Sequence, residues 1–174
     1  MPELIRLRPV AEADLPLLER LFRDPVEASQ YGFFGWKNLG EVRRQWERDG
    51  GIGADFGRLS VVREEEFLGD VSWHKVTTGP TSFCWNIGIA LLAQARGRGY
   101  GTRAQRLLVE YLFAHTQVNR IEAGTEVTNV GEQRALEKAG FVREGVLRGS
   151  CFRHGAWRDM VGYSILRDEV DLGG

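Results

Sequence analysis

Hydrophobic and polar positions repeat along the chain with two periods, and the periods lay out most of its elements. Leu4, Ile5 and Leu7, with Arg6 and Arg8 between them, have the alternation of a strand that Pro9 ends. Leu17, Leu18, Leu21 and Phe22 recur at helical spacing. Asp14 is placed to cap that helix, and Pro16 falls in its first turn, where a missing N–H costs least. A second amphipathic helix is predicted from about Leu39 to Arg48, stopped by Gly50-Gly51-Ile52-Gly53. Arg58 to Arg63 and Phe67 to Val76 read as a hairpin around the acidic turn Glu64-Glu65-Glu66. Gly79-Pro80 then turns the chain into a strand from Phe83 to Leu91, whose bulk falls on one face. Ala104, Leu107, Leu108, Tyr111 and Leu112 mark a long helix, and Arg120 to Val127 a strand. Ala135, Leu136 and Ala139 face inward on a short helix closed by Gly140 as a left-handed cap. Two strands, Phe141 to Phe152 and Trp157 to Leu166, finish the chain. The order β-α-α-β-β-β-α-β-α-β-β predicts an α+β or mixed α/β fold, one domain over residues 1–174.

Composition narrows the class. At 174 residues and 43% hydrophobic content the chain can bury a real core. A net charge of −1 gives no basic face for nucleic acid. Cys84 and Cys151 show no metal or redox spacing, so a reduced, cytoplasmic setting without a bound metal is expected. Met1-Pro2-Glu3 opens no signal peptide, and no apolar run has the length of a membrane span.

The chemistry gathers between Gln94 and Arg106. Gly97, Gly99 and Gly101 leave a bare backbone directly after a strand and at the start of the long helix. Main-chain N–H groups and the positive end of the helix dipole converge there, as a phosphate requires. Four arginines (96, 98, 103 and 106) share the stretch. The spacing is neither a Walker loop, since no lysine precedes Thr102, nor a dinucleotide fingerprint, since the glycines run G-x-G-x-G. It does fit [QR]-x-x-G-x-[GA] at Arg96, Gly99 and Gly101. A second stretch, Asn129 to Phe141, fits N-x-x-S-x-R-x-L-E-K-x-G-F at Asn129, Arg134, Leu136, Glu137, Lys138, Gly140 and Phe141.

With both signatures about thirty residues apart, the chain resembles the GCN5-related N-acetyltransferase (GNAT) superfamily, in its RimJ/RimL-like branch. The resemblance implies a central, mostly antiparallel twisted sheet of about seven strands, splayed at the cofactor site and flanked by about four helices. It implies acetyl-CoA as donor and direct transfer to a primary amine, either of a small molecule or of a protein N-terminus. It also implies the donor contacts: Arg96, Gly97, Arg98, Gly99, Tyr100, Gly101 and Thr102 at the diphosphate, and Ile89, Leu91 and Asn129 along the pantetheine arm. Asn129 also suits a helix N-cap. The alternation of Trp85, Ile87 and Ile89 breaks at Ala90-Leu91-Leu92, where a β-bulge is expected. A homodimer is compatible with the family; a nucleic-acid or membrane partner is not expected.

The proton path departs from the family's pattern. Glu132 stands where relatives open the helix with Ser, and Asn86 where a glutamate is frequent. Glu132 either restores a carboxylate to the site or simply answers the helix dipole. His74 titrates in the useful range but also suits a plain strand position. Glu126 either faces the splay or holds Arg120. Phe33, Phe34 and Trp36, in the loop the family places over its acceptor, with Trp73 and Trp85 on strands, are candidate acceptor contacts or core. A non-catalytic acyl-CoA-binding module is the rival reading.

Overall fold

The computed structural model describes residues 4–38 and 40–172. Met1 to Glu3 and Leu39, the predicted start of the second helix, lie outside the described residues. The strands are β1 (Ile5–Pro9), β2 (Phe56–Arg63), β3 (Glu66–Gly79), β4 (Ser82–Leu91), β5 (Arg120–Glu126), β6 (Val142–Arg153) and β7 (Ala156–Leu166). The helices are α1 (Leu15–Arg23), α2 (Pro25–Gly32), α3 (Gly40–Asp49), α4 (Tyr100–His115) and α5 (Val130–Ala139). Five α-helices among the described residues exceed the predicted four by α2. That helix has no amphipathic period to betray it. It is started by local chemistry, with Pro25 in its first turn and the Asp24 carboxylate accepting from the Val26 N–H at 2.9 Å.

The strands form one sheet in the order β1-β2-β3-β4-β5-β7-β6. Every neighbouring pair is antiparallel except β4 and β5, which run parallel and pair only at Trp85↔Ile121, Asn86↔Glu122 and Ile87↔Ala123. Past Ile87, β4 stays with β3 while β5 stays with β7, so the sheet opens between them. α4 and α5 pack the larger core on one face, with Trp85, Leu108, Leu112, Ile121 and Tyr163 buried in it. α1 covers a second core of Val10, Leu15, Leu18, Leu21, Phe67 and Leu92. Among the described residues no helix is long and apolar enough to cross a membrane.

Two expectations are corrected. The bulge is not at Ala90-Leu91-Leu92, because β4 keeps an unbroken register with β3 from Phe83 to Leu91. It lies one strand away: Val61 pairs with Gly69 and Val62 with Phe67, which leaves Leu68 as the extra residue of β3. Gly69 stands opposite Leu91 with φ of 153°, and a Cβ there would lie 2.1 Å from the Ala90 carbonyl oxygen. The apolar alternation breaks for another reason. Leu92 leaves the sheet, its N–H bonds the Leu68 carbonyl at 2.9 Å, and its side chain joins the second core. Nor does Asp14 cap α1 with its side chain. Its buried carboxylate instead accepts from Arg8, the Ala11 N–H and the Ser60 hydroxyl, binding β1 to β2.

Candidate active site

The cleft is built where the sheet opens. On one wall β4 runs from Gly88 to Leu91 with no β5 partner; on the other stand Gly124 and Thr125. The N-terminus of α4 closes one end. Its N-cap, Gly99, has φ of 81° and Gly97 has φ of 71°, left-handed values that glycine adopts without strain. A Cβ built on either glycine meets nothing within 4 Å. The first-turn N–H groups of α4 have no acceptor inside the helix and carry its positive dipole end. The start of α5 and the second half of α2 complete a cleft of about 730 Å³, within the range of small-molecule sites.

The cleft brings together Ile89, Leu91, Arg96, Gly97 and Gly99 with Gly101, Thr102, Asn129 and Glu132. It excludes others. Tyr100 is buried in the core, the Arg98 guanidinium lies over its ring at 5.5 Å, and neither residue lines the cleft. Arg96 reaches inward: its Nε donates to the Leu91 carbonyl at 2.9 Å and its Nη1 to the Val26 carbonyl at 3.3 Å. Arg106 donates to the Lys138 carbonyl. Arg96 thus ties the loop before α4 to β4 and α2, and Arg106 ties α4 to α5.

Asn129 caps α5, its Oδ1 accepting from the Glu132 N–H at 3.3 Å while its Nδ2 donates to the Thr125 hydroxyl at 3.0 Å. Glu132 is half-buried. Its carboxyl accepts from Gln105 Nε2, and burial pushes it up to about 7 against the lowering effect of that bond. His74 and Asn86 pair across β3 and β4 but do not line the cleft, and the His74 side chain is exposed.

Trp73 and Trp85, offered as acceptor contacts, are core residues only 4% and 5% exposed. Trp85 donates to the Thr116 hydroxyl at 3.1 Å, and Trp73 lies 5.9 Å from Tyr111. Alternation placed both on the face that α4 covers, which sequence alone does not label. Phe34 and Trp36 are exposed. Phe33 is half-buried, 5.2 Å from Trp36 and 6.2 Å from His154 at the β6–β7 turn, and none of Phe33, Phe34 and Trp36 lines the cleft. Glu126 does not hold Arg120; it is paired with Arg153, and Arg120 bonds Glu122 and Glu144. Cys84 is buried, and burial with the neighbouring Glu122 pushes its thiol up to about 11, which disfavours a thiolate nucleophile.

Among the cleft residues that the sequence did not single out are Glu27, Ser29 and Gln105. Glu27 on α2 is buried, and the Ala93 N–H at 2.8 Å with the Arg20 guanidinium holds its carboxyl below the ordinary range. Ser29 has φ of 62° and ψ of 171°, a region other residues leave to glycine. Gln105 is a buried amide on α4, signalled only by a polar residue beside an apolar stripe.

Residues 5–142 match the acetyltransferase (GNAT) domain family. The chain belongs to the GNAT acetyltransferases. Its activity class is N-acetyl transfer. It is 33% identical over 133 residues to a Bacillus subtilis (strain 168) protein named "Probable N-acetyltransferase YjcK", covering 76% of this chain and 71% of that one. In fold it is similar to spermidine N-acetyltransferase from Vibrio cholerae, solved with CoA and spermine, with a TM-score of 0.81 at 20% identity over 95% of this chain and 96% of that one. It is also similar to Mycobacterium smegmatis RimJ in complex with CoA-disulfide, with a TM-score of 0.77 at 24% identity, covering 95% and 83%. The splayed seven-stranded sheet is thus the GNAT architecture.

Proposed function

We propose that this GNAT domain, acting as a single unit in the cytoplasm and without a metal, moves the acetyl group of acetyl-CoA directly to a primary amine of a small molecule or a protein N-terminus. One observation carries the reading: the opening between β4 and β5 runs into the α4 N-terminus at two glycines that face empty space. The chain fits the donor at each part. From Gly88 to Leu91 β4 pairs with β3 on one side and with no strand on the other, an open edge that suits an extended arm bonding like an added strand. The bare N–H groups between Gly97 and Thr102 suit a diphosphate. The solved neighbours that carry CoA support the same donor.

Acetyl-CoA, when bound, supplies an activated acyl carbon. In this reading the main-chain N–H near Ile89 holds the acyl oxygen as charge develops on it, a role for fixed backbone dipoles. Glu132, a cleft-wall carboxyl that burial raises to about 7, handles the proton. Arg96 holds the cradle against β4 and α2. Phe33, Phe34 and Trp36 border the acceptor's entry, where aromatic faces favour a cationic or planar amine.

Calorimetric titration with acetyl-CoA and with CoA, followed by thiol release over a panel of polyamines, aminoglycosides and peptide N-termini, tests the proposal. Binding of both donors with thiol release on one acceptor class is expected. Failure of either donor to bind overturns it, and binding without release on any amine favours an acyl-CoA-binding module.

A further inference from the structure

Gln105 is 2% exposed, and it sits among the apolar residues of α4. Its Nε2 donates to the Glu132 carboxyl, but its Oε1 is buried and has no donor among the described residues. A buried carbonyl without a donor is unusual and needs an explanation. The charged side chains on the cleft wall do not supply one. They are Glu27 on α2, Arg96 in the cradle, and Arg134 and Lys138 on α5, and none forms an ion pair with Glu132 among the described residues. From β5 the nearest wall residues are uncharged, Gly124 and Thr125.

One arrangement satisfies both groups. A carboxylic acid and a primary amide can close a ring of two hydrogen bonds, each donating to the other's carbonyl. We propose that Glu132 and Gln105 form this neutral acid–amide pair, Glu132 Oε2–H donating to Gln105 Oε1 and Gln105 Nε2–H to Glu132 Oε1, so that a proton is stored on the wall of the cleft. The upward push of burial on the Glu132 carboxyl agrees with it. Gln105 is then a positioning residue, and the pair exists in the free protein. Its chemical use rests on the acyl-transfer reading above. There Glu132 gives its Oε2 proton to the sulfur that leaves with the C–S electron pair, and regains one from the proton the acceptor nitrogen releases, through solvent, as its lone pair becomes the C–N bond. Gln105 Nε2 stays bonded to the carboxylate in between.

Infrared difference spectra of the free protein near pH 6 test the pair without any turnover. Wild type minus Glu132→Gln should show a hydrogen-bonded carboxylic-acid carbonyl band. Glu132→Gln keeps the ring as an amide–amide pair and so is expected to fold. In Gln105→Met the acid band should persist and shift to the position of a less strongly bonded acid. Absence of an acid band in the wild type overturns the proposal, and so does a band unmoved by Gln105→Met. Calorimetry with CoA on the same proteins separates the two readings: a clear acid band with no CoA binding leaves the pair standing and removes the acyl donor.

Discussion

Arg153 and Glu126 form an ion pair whose side chains are only 6% and 8% exposed, joining the end of β6 to the end of β5 at the edge of the cleft. The same guanidinium donates to the Gln30 carbonyl of α2 and lies 5.6 Å from the centre of the Tyr31 ring. Tyr31 in turn donates to the Thr128 carbonyl at 3.0 Å. One buried cation thus ties together the three segments that border the cleft's outer end. Burial alone would raise the Glu126 carboxyl, but the bonds from Arg153 and Thr128 outweigh it and hold it below the ordinary range.

Removing one partner of such a pair strands the other. Arg153→Met should cost about 3–5 kcal/mol, because Glu126 stays buried without its cation. The double variant Arg153→Met with Glu126→Gln should recover most of that loss. Urea denaturation of the two single variants and the double one gives the comparison. Equal stability in all of them would mean that the pair is hydrated.

Glu132 makes stability depend on pH with a definite sign. Its carboxyl is raised from 4.5 to about 7 in the folded protein. Between those values the folded state holds more protons than the unfolded, so this group's contribution falls as pH rises. Glu132→Gln cannot titrate and should lack the fall. The stability of wild type minus that of Glu132→Gln should drop by on the order of 2–3 kcal/mol from about pH 4 to about pH 8. Denaturation curves at a series of pH values measure it, and a flat difference would show an ordinary, solvated carboxylate.

Gly99→Val should separate folding from donor binding. The position lies at φ of 81° with open space around a Cβ, so the fold loses the strain of one left-handed residue, about 1–2 kcal/mol, and meets no clash. A valine side chain would project into the space reserved for the diphosphate. CoA affinity should fall at least tenfold while the circular dichroism spectrum is unchanged. Unaltered affinity would place the anion elsewhere.

Trp85→Phe should act on stability and spare the acceptor. The indole N–H bond to Thr116 is lost and the core loosens, a change of about 1–3 kcal/mol. KM for any acceptor found in the amine panel should stay within a factor of two. A large rise in KM with unchanged stability would return Trp85 to the acceptor's surroundings.

The strand–glycine–helix cradle and the α5 helix were legible because each rests on local chemistry. Gly99 and Gly140 take the left-handed conformations their positions require, at 81° and 103°. Phe141 packs back as the cap predicts, its N–H bonding the Leu136 carbonyl at 3.0 Å. Most of the failures required knowing which element packs against which. Alternation puts Trp73 and Trp85 on one face without saying that α4 covers it. Asp14 looks like a cap until β2 brings Ser60 to 2.7 Å. Gln105 reads as an ordinary helix residue until α5 sets Glu132 against it. The bulge was foreseen on the wrong strand because a break in apolar periodicity records where burial changes partner, as at Leu92, whereas a bulge is a change of register between two strands.

Gly69 shows how that neighbouring bulge holds the cleft wall. It pairs with Leu91 across β3 and β4, and a Cβ would meet the Ala90 carbonyl oxygen at 2.1 Å and the Leu91 Cα at 2.8 Å. Backbone cannot swing aside as a flexible side chain can, so Gly69→Ala must push Ala90 and Leu91, both of which line the cleft. The expected result is a loss of about 2–4 kcal/mol together with weaker CoA binding, two effects from one displaced carbonyl. Gly145→Ala on β6 is the control, since a Cβ there meets nothing within 4 Å and the residue has no left-handed φ. It should be neutral or slightly stabilising, because alanine restricts the unfolded chain more than glycine does. Parallel denaturation and calorimetry on the two variants make the measurement. Loss of stability in Gly69→Ala with CoA affinity untouched would uncouple the bulge from the wall it supports.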